Sequence, residues 1–386
     1  MPDRFHEKLA ECLKERQTPN NSNLNAAILD TFGTLTLKPE MIMNIRHTVL
    51  KTLLSAPKED LPVMVKFVST SITPNEALGE IENLRSHLDL DPKINVLSQL
   101  SSQRLARRPT NAHVQDSEHF DVMVMDIIRV SLTSETKIAE AWFQAVVHAE
   151  QTKTLDIMVL LLLRDLPNKQ KNVEALVRNK IRSGEINEEL VKTCFKNHSK
   201  FIVTIFSSVQ AIAEALMGSH EKVLNQFSLE IYVQAFCFLN QFCKQEIIVD
   251  LMTQIGTNVL TRDIAIATIY VLAKNHPSQL KDFTIFISSM LDHVVTLTLP
   301  QVRKIMDILS YLGYHDPKSN HNLRNDLNMA IRKQITANGK QRNMKQIGQL
   351  AIYVFFITNR PLGGSVNISL FDLVYSNFYL LKQNVK

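Results

Sequence analysis

The sequence predicts an all-α protein: an irregular α-solenoid of HEAT- or armadillo-like helical repeats, with a helical domain around residues 118–217. Three observations predict this class. Apolar residues recur at helical spacing in nearly every segment, and no segment keeps the two-residue alternation of a half-buried strand for more than a few positions. The 386 residues include only 10 glycines, which disfavours β-rich architectures. Short polar turns join the apolar segments, as in helical repeats, and the lack of a clean 34-residue period predicts irregular ones.

The first 90 residues are predicted to form five helices. The acids Glu59 and Asp60 and the proline Pro62 stand before and within the apolar run LPVMVKFV. Acids and an early proline are typical of a helix start, because the first turn carries the positive end of the helix dipole and has free N–H groups. The predicted helices span residues 5–16, 24–37 and 39–54, then run from this start to about residue 71, and from 74 to 88.

Residues 91–117 interrupt the helical pattern and are predicted to be a mobile basic linker. Their sequence includes SSQRLARRPTNAHVQDS, which is polar, basic and without period. Further helices are predicted at 118–132, 135–150, 154–164, 170–183, 187–196, 199–217, 221–243, 246–255, 260–274, 278–295, 300–313, 321–336, 342–359 and 367–382. The chain therefore divides into an N-terminal solenoid segment (1–90), the linker (91–117), a helical domain (118–220) and a second solenoid (221–386).

The helix predicted at 199–217 has one apolar stripe. Its members are Ile202, Ile205, Phe206, Val209, Ile212, Ala213 and Leu216. Asn197, His198 and Ser199 precede the helix as polar residues able to cap it, and Gly218 follows as a C-terminal cap. At about 100° per residue, Lys200 falls opposite the stripe and is expected in solvent, whereas Val203 falls on its flank.

No catalytic constellation is visible in the sequence. Four cysteines are scattered without CxxC spacing, the twelve histidines form no metal-ligand pattern, and no phosphate-binding or nucleophile-elbow glycine motif occurs. We therefore expect a protein that is not an enzyme and that has no cofactor, no metal site and no small-molecule substrate. The charged N-terminus does not resemble a signal peptide, and the apolar run at 157–163 is too short to span a bilayer, so we expect no membrane association.

Basic residues around 178–200 are the most suggestive feature. Arg178, Lys180 and Arg182 are followed by Lys192 and Lys196, in a chain of net charge +5. Such a cluster is able to follow a phosphate backbone with salt-sensitive affinity. Aromatic residues are sparse between the cations, so duplex DNA fits better than a single strand. A solvated helix face without any ligand is the alternative interpretation.

Several segments together resemble one family, the Fanconi anaemia group D-two proteins. The matching segments are EDLPVMVKFV (Glu59–Val68), KIAEAWFQAV (Lys137–Val146), LVRNKIRSG (Leu176–Gly184), LPQVRKIMDILSYL (Leu299–Leu312), MAIRKQI (Met329–Ile335) and MKQIGQLAIYV (Met344–Val354). Each is a weak helical motif, but all six occur in the family's order and spacing over about 59–360. Family members are much longer, so the chain resembles a central fragment or a short form.

The resemblance implies a nuclear, non-enzymatic DNA-repair scaffold. It would pair with the paralogous Fanconi I-type subunit and close as a clamp on double-stranded DNA during interstrand-crosslink repair. A ubiquitin E2 and the Fanconi L-type E3 ligase would attach one ubiquitin. A helical-repeat adaptor that binds only proteins is the alternative function, and salt-dependent binding to duplex DNA distinguishes the two.

This sequence departs from the family at the ubiquitin acceptor. A gap-free match from Cys194 to Ser208 places Val203 at the position of the family's acceptor lysine, and a valine cannot form an isopeptide bond. The nearest lysine is Lys200, about one helical turn upstream. The hypothesis is that Lys200 replaces the acceptor. The competing view is that the modification has been lost or moved.

Overall fold

The structure is a computed structural model that describes residues 27–32, 35, 37–91, 120–293 and 296–315, together with residues 323, 325 and 329. The described residues contain helices and no strands, so the all-α prediction is confirmed, and the consecutive packed helices agree with a helical-repeat fold. In the described part of the chain, no helix is both long enough and apolar enough to cross a membrane.

Seventeen helices of the described residues are numbered here in chain order. They are α1 (Pro39–Thr52), α2 (Leu61–Ser71), α3 (Ala77–His87), α4 (Phe120–Ser134), α5 (Thr136–Val147), α6 (Thr154–Asp165), α7 (Gln170–Arg182), α8 (Glu188–Asn197), α9 (Ser199–Thr204), α10 (Phe206–Met217), α11 (Lys222–Phe238), α12 (Gln241–Thr257), α13 (Arg262–Asn275), α14 (Pro277–Leu280), α15 (Thr284–Ser288), α16 (Met290–His293) and α17 (Leu299–His315). Short 3₁₀ turns occupy Leu53–Ser55 and Lys281–Phe283.

The chain divides into two compact units, Met1–Ile212 and Ala213–Lys386. The first is built around α6, in which every residue from Thr154 to Leu163 is buried. A helix that is apolar on all sides needs neighbours on all sides, and α4, α5, α7 and α8 all pack against it. Asp156 fixes the start of α6: its carboxylate accepts a hydrogen bond from the Lys153 backbone N–H at 2.7 Å and forms a buried ion pair with Arg85.

The second unit is organised in the same way around α13, which packs against α11, α12, α14 and α17. Its buried face includes Ala265, Ile266, Ile269 and Leu272. The phenol of Tyr232 on α11 donates a hydrogen bond of 2.5 Å to Asp250 on α12. This pair ties the two helices together inside the unit.

Three predicted helices are interrupted in the structure. The helix predicted at 199–217 breaks at Ile205, whose φ of −121° and ψ of 25° leave the helical region. The predicted boundary at 243–246 is wrong, because α11 ends at Phe238 and the side chain of Asn240 caps α12 through the Cys243 N–H. The helix predicted at 278–295 is divided into the short elements α14 to α16 and a 3₁₀ turn.

Other predictions fall partly outside the described residues. The predicted linker at 91–117 lies outside the described residues except for Asp91. The helices predicted at 5–16, 342–359 and 367–382 and the family-like segment MKQIGQLAIYV also lie outside them. The division into four segments remains a prediction. Of the four cysteines, Cys194, Cys237 and Cys243 are described, and all three are free thiols.

Candidate functional site

The junction between α8 and α9 is built on a buried histidine. His198 separates the two helices with φ −121° and ψ 28°, and its side chain is 1% exposed. Its Nδ1 lies 3.0 Å from an Asp121 carboxylate oxygen, and its Nε2 lies 3.3 Å from an Asp91 carboxylate oxygen. Asp91 also accepts hydrogen bonds of 2.8 Å from Asn197 and from Thr154. The predicted capping residue His198 is therefore a buried bridge between two carboxylates.

The contacts within this bridge favour the charged forms of His198 and Asp91. Burial alone would lower the pKa of His198, but its contacts with Asp121 and Asp91 outweigh burial and raise that pKa above the usual value. Burial would also raise the pKa of Asp91, yet hydrogen bonds from His198, Asn197 and Thr154 lower it to about 2. The bridge links the start of α9 to two other places in the first unit. One is Asp91, which follows α3, and the other is Asp121 in the first turn of α4.

The structure places Lys200 and Val203 as the periodicity predicts. Lys200 is exposed on the first turn of α9, and Val203 is half-buried one turn later. All seven residues of the predicted apolar stripe are buried. Beside Val203, the hydroxyl of Thr204 accepts a hydrogen bond of 2.8 Å from Arg129, whose guanidinium lies over the Phe201 ring at 5.8 Å. The surface beside Val203 is thus held against α4.

A cavity of about 340 Å³ opens beside this junction, within the first unit. Its basic lining residues come from three places: Lys58 before α2, Lys196 at the end of α8 and Lys200 on α9. The other lining residues are Leu61, Leu90, Phe120, Asp121, Asn197, His198 and Ser199. The fold therefore brings lysines that are 142 positions apart in sequence, from 58 to 200, to one concave surface.

The basic residues of α7 have a different environment. Lys180 is 4% exposed, and its ammonium contacts the Glu185 carboxylate at 2.5 Å and the Thr152 hydroxyl at 3.3 Å. Arg178 is half-buried and pairs with Glu174 at 3.6 Å, whereas Arg182 is exposed and donates to Asn179 at 2.8 Å. Lys180 was predicted as a DNA contact, and this burial removes it from the accessible surface. At helical spacing Lys180 falls within the apolar stripe of Val177 and Ile181, so the periodicity of α7 carried a signal of its inward direction.

Lys192 and Lys196 are both exposed on α8. Of the predicted basic residues, the structure thus brings Lys196 and Lys200 to one cavity, while Arg178 and Arg182 lie on another helix. Lys58, Asp91 and Asp121 were not predicted as site residues. Asp91 and Asp121 are 30 positions apart and belong to different elements, so no local pattern links them. Throughout the described ranges, no group of three or more His, Cys, Asp or Glu side chains is arranged to hold a metal ion.

Comparisons with known proteins give one consistent result. A family model described as "Fanconi anaemia protein FancD2 nuclease" matches residues 1–357. The chain is 30% identical over 335 residues to the Fanconi anemia group D2 protein of Gallus gallus, which covers 84% of this chain and 23% of that protein. It is 32% identical over 330 residues to the homologue of Mus musculus, with 82% and 23% covered. The chain therefore spans about a quarter of the length of these relatives.

Proposed function

The chain belongs to the family of the Fanconi anaemia protein FancD2, and from this premise we propose that it works in DNA repair as a non-enzymatic scaffold. It acts as one subunit of a Fanconi-type heterodimeric clamp on double-stranded DNA, in the nucleus, during interstrand-crosslink repair. Its partners are a paralogous I-type subunit, duplex DNA and the ubiquitin E2 and L-type E3 enzymes. The family match is the observation that carries this proposal.

Duplex binding is assigned to the exposed cations of α7 and α8. Lys192 and Lys196 stand in solvent on α8, and Arg182 stands in solvent at the end of α7. Exposed ammonium and guanidinium groups neutralise backbone phosphates without reading bases, which suits a clamp that closes on any sequence. Lys180 takes no part, because its ammonium is held inside the fold by Glu185.

Ubiquitination is assigned to Lys200. The residue is exposed on the first turn of α9, one turn before Val203, and Val203 has no amine. The His198 bridge fixes where α9 begins, so it also fixes the position of Lys200 relative to the rest of the first unit. We assign the I-type partner and duplex DNA the role of presenting this surface to the E2 and E3 enzymes.

The word "nuclease" in the family description names a second candidate function. Metal-dependent cleavage of a phosphodiester needs carboxylates that converge on metal ions, and the described residues offer no such cluster. We therefore place the scaffold first. Incubation of duplex DNA with the chain and Mg²⁺ or Mn²⁺ tests the choice: uncut DNA supports a scaffold, and cleavage that persists through purification supports a nuclease.

Salt-dependent binding to a labelled duplex tests the clamp function against the alternative of a protein-only adaptor. Fluorescence anisotropy at 50–200 mM salt should show affinity that falls steeply, with a slope of log K against log salt of about −3 if three phosphates are neutralised. The triple variant R182E/K192E/K196E should bind at least about tenfold more weakly. K171E, a reversal at another exposed lysine of the same unit, is the single-charge control. Absence of duplex binding, or binding that ignores salt, would favour the adaptor.

A further inference from the structure

Helix α9 is too short to keep its conformation without neighbours. It has six residues, Ser199–Thr204, and lies between two breaks in the helical backbone, at His198 and at Ile205. Phe201 and Ile202 form its buried face, and it packs against α8 and α4. Isolated helices shorter than about 12 residues are marginal in water. The conformation of α9 therefore depends on its contacts with other elements.

Polar contacts join both ends of α9 to α4. At the start, His198 lies 3.0 Å from Asp121, which is in the first turn of α4. At the end, Arg129 of α4 donates a hydrogen bond of 2.8 Å to the hydroxyl of Thr204. Asp121 and Arg129 are two helical turns apart, about 12 Å along the axis of α4. The two contacts therefore hold α9 along α4 rather than at a single point.

The guanidinium of Arg129 is itself held in place. It pairs with Asp126 of the same helix at 3.1 Å and lies 5.8 Å from the centre of the Phe201 ring. These contacts fix its direction toward Thr204. The side chain of Arg129 is 37% exposed, so its loss should weaken the attachment of α9 without unfolding the first unit.

Two lysines compete for modification at this junction. Lys196 in the last turn of α8 and Lys200 in the first turn of α9 are both exposed and line the same cavity. Transfer of an acyl group requires the attacking amine within about 3.5 Å of the carbonyl and in the correct direction. A helix that is held at both ends presents its lysine in one position, and this favours Lys200.

We propose that Arg129 is a positioning residue that makes Lys200, rather than Lys196, the ubiquitin acceptor. The inference rests on the proposed function, because it specifies how the acceptor is selected. In the transfer, the neutral amine of Lys200 attacks the thioester carbonyl of the ubiquitin-loaded E2. The isopeptide C–N bond forms, the C–S bond breaks, the E2 thiolate leaves, and the amine releases a proton to a base of the E2 or to water. Arg129 acts through Thr204 and not on the reacting atoms.

Hydrogen–deuterium exchange of the chain and mass-spectrometric mapping of the reconstituted ubiquitination test the proposal. R129M and T204V remove the two sides of the same hydrogen bond. Each should speed exchange of the α9 amides by at least about threefold. Each should also lower the ratio of ubiquitin on Lys200 to ubiquitin on Lys196 by at least about fivefold. R129M/T204V should have scarcely more effect than R129M, because the two changes remove one shared contact.

R303M is the matched control, because Arg303 is an exposed arginine of α17 in the second unit. It should change neither the exchange of α9 nor the ratio of the two ubiquitin products, and thermal unfolding should show that all the variants remain folded. Unchanged exchange and an unchanged ratio in R129M would overturn the inference. So would a shift in R303M as large as that in R129M.

The two measurements separate this inference from the proposed acceptor. If the chain without substitutions carries no ubiquitin on Lys200, the acceptor assignment fails and its selection by Arg129 fails with it. Exchange in R129M then still decides whether Arg129 holds α9. If Lys200 carries ubiquitin to the same extent with and without R129M, the acceptor assignment stands and the positioning role of Arg129 is refuted.

Discussion

Two regions of the first unit, α7 and the α8–α9 junction, contain similar basic residues in different environments. On α7, Lys180 is buried against Glu185, and the neighbouring Arg178 pairs with Glu174. At the α8–α9 junction the buried basic side chain is His198, while Lys196 and Lys200 line a cavity. Acids of the same region pair with Arg178 and Lys180 on α7, whereas Lys196 and Lys200 are exposed side chains that line a cavity.

The positions of basic residues in a sequence therefore do not show which of them stabilise the fold through buried ion pairs and which remain exposed at a binding surface. A buried ion pair holds its partners because each charge loses water and needs the other. An exposed lysine contributes little to stability and remains available to an anion. Variants that measure stability and binding separately should therefore divide the two groups.

The largest stability effect is expected for the buried histidine. H198A should lower the free energy of unfolding by about 3 kcal/mol, because the carboxyl groups of Asp91 and Asp121 lose the buried hydrogen-bonding partner between them. Urea unfolding followed by circular dichroism measures the change. H148A removes a histidine that is 58% exposed and should cost less than about 0.5 kcal/mol. A loss below about 1 kcal/mol for H198A would show that the bridge does not hold the junction.

On α7, the substitution Lys180→Met should lower the free energy of unfolding by about 2 kcal/mol. The Glu185 carboxylate loses its buried partner, but its own partial exposure softens the penalty. The matched variant Lys192→Met changes an exposed lysine and should alter stability by less than about 0.5 kcal/mol. Chemical denaturation of both variants measures the comparison directly. Equal effects from the two changes would contradict the division into buried basic residues that stabilise the fold and exposed ones that do not.

Stability should also depend on pH through the junction. The pKa of His198 is raised on folding, so its contribution is fully present below about pH 6.5 and is lost as the pH rises through the folded pKa. The pKa of Asp91 falls to about 2, so its contribution is present above about pH 3.8 and is lost as the pH falls through about 2.

Asp91 should contribute at most about 2 kcal/mol, since its side chain is one-third exposed and screened by solvent. Urea titrations between pH 2 and pH 9 should show a maximum between these two losses. In H198A the loss on the alkaline side should shrink. An unchanged alkaline limb would assign that loss to other groups.

The smallest effect on stability is expected at Gly184, in the turn after α7 that places Glu185 in contact with Lys180. Gly184 ends the segment with φ of 81°, a left-handed conformation in which a side chain costs about 1 kcal/mol. Gly184→Ala should destabilise by about that amount in thermal unfolding. Gly79 lies within α3 with open space around it, so Gly79→Ala should be neutral or stabilising. A neutral Gly184→Ala would show that the turn tolerates a side chain.

Periodicity was sufficient to predict the helices, the buried stripe from Ile202 to Leu216, and the positions of Lys200 and Val203, because these depend on spacing within one helix. It did not predict the break at Ile205 or the short helices after α13, where tertiary packing overrides local preference. The bridge from Asp91 through His198 to Asp121 depends on which elements meet. Contacts over 77 to 107 positions leave no local pattern.

The cavity shows the same limit. Lys58 directly precedes the acids of a predicted helix start, and Lys196 and Lys200 were predicted for DNA and for ubiquitin. Only the packing of α2, α4 and the α8–α9 junction in one unit places them around a common space. The six family-like segments indicated the family correctly because their order along the chain is itself sequence information.

Mapping the ubiquitin acceptor tests the account most directly. The protein is modified in a reconstituted reaction with the I-type partner, duplex DNA and the E2 and E3 enzymes, and mass spectrometry identifies the modified lysine. We predict one ubiquitin on Lys200, lost in Lys200→Arg and retained in the neighbouring control Lys196→Arg. Ubiquitin on a different lysine, or on none, would contradict the assignment of Lys200 as the acceptor that replaces the lysine missing at Val203.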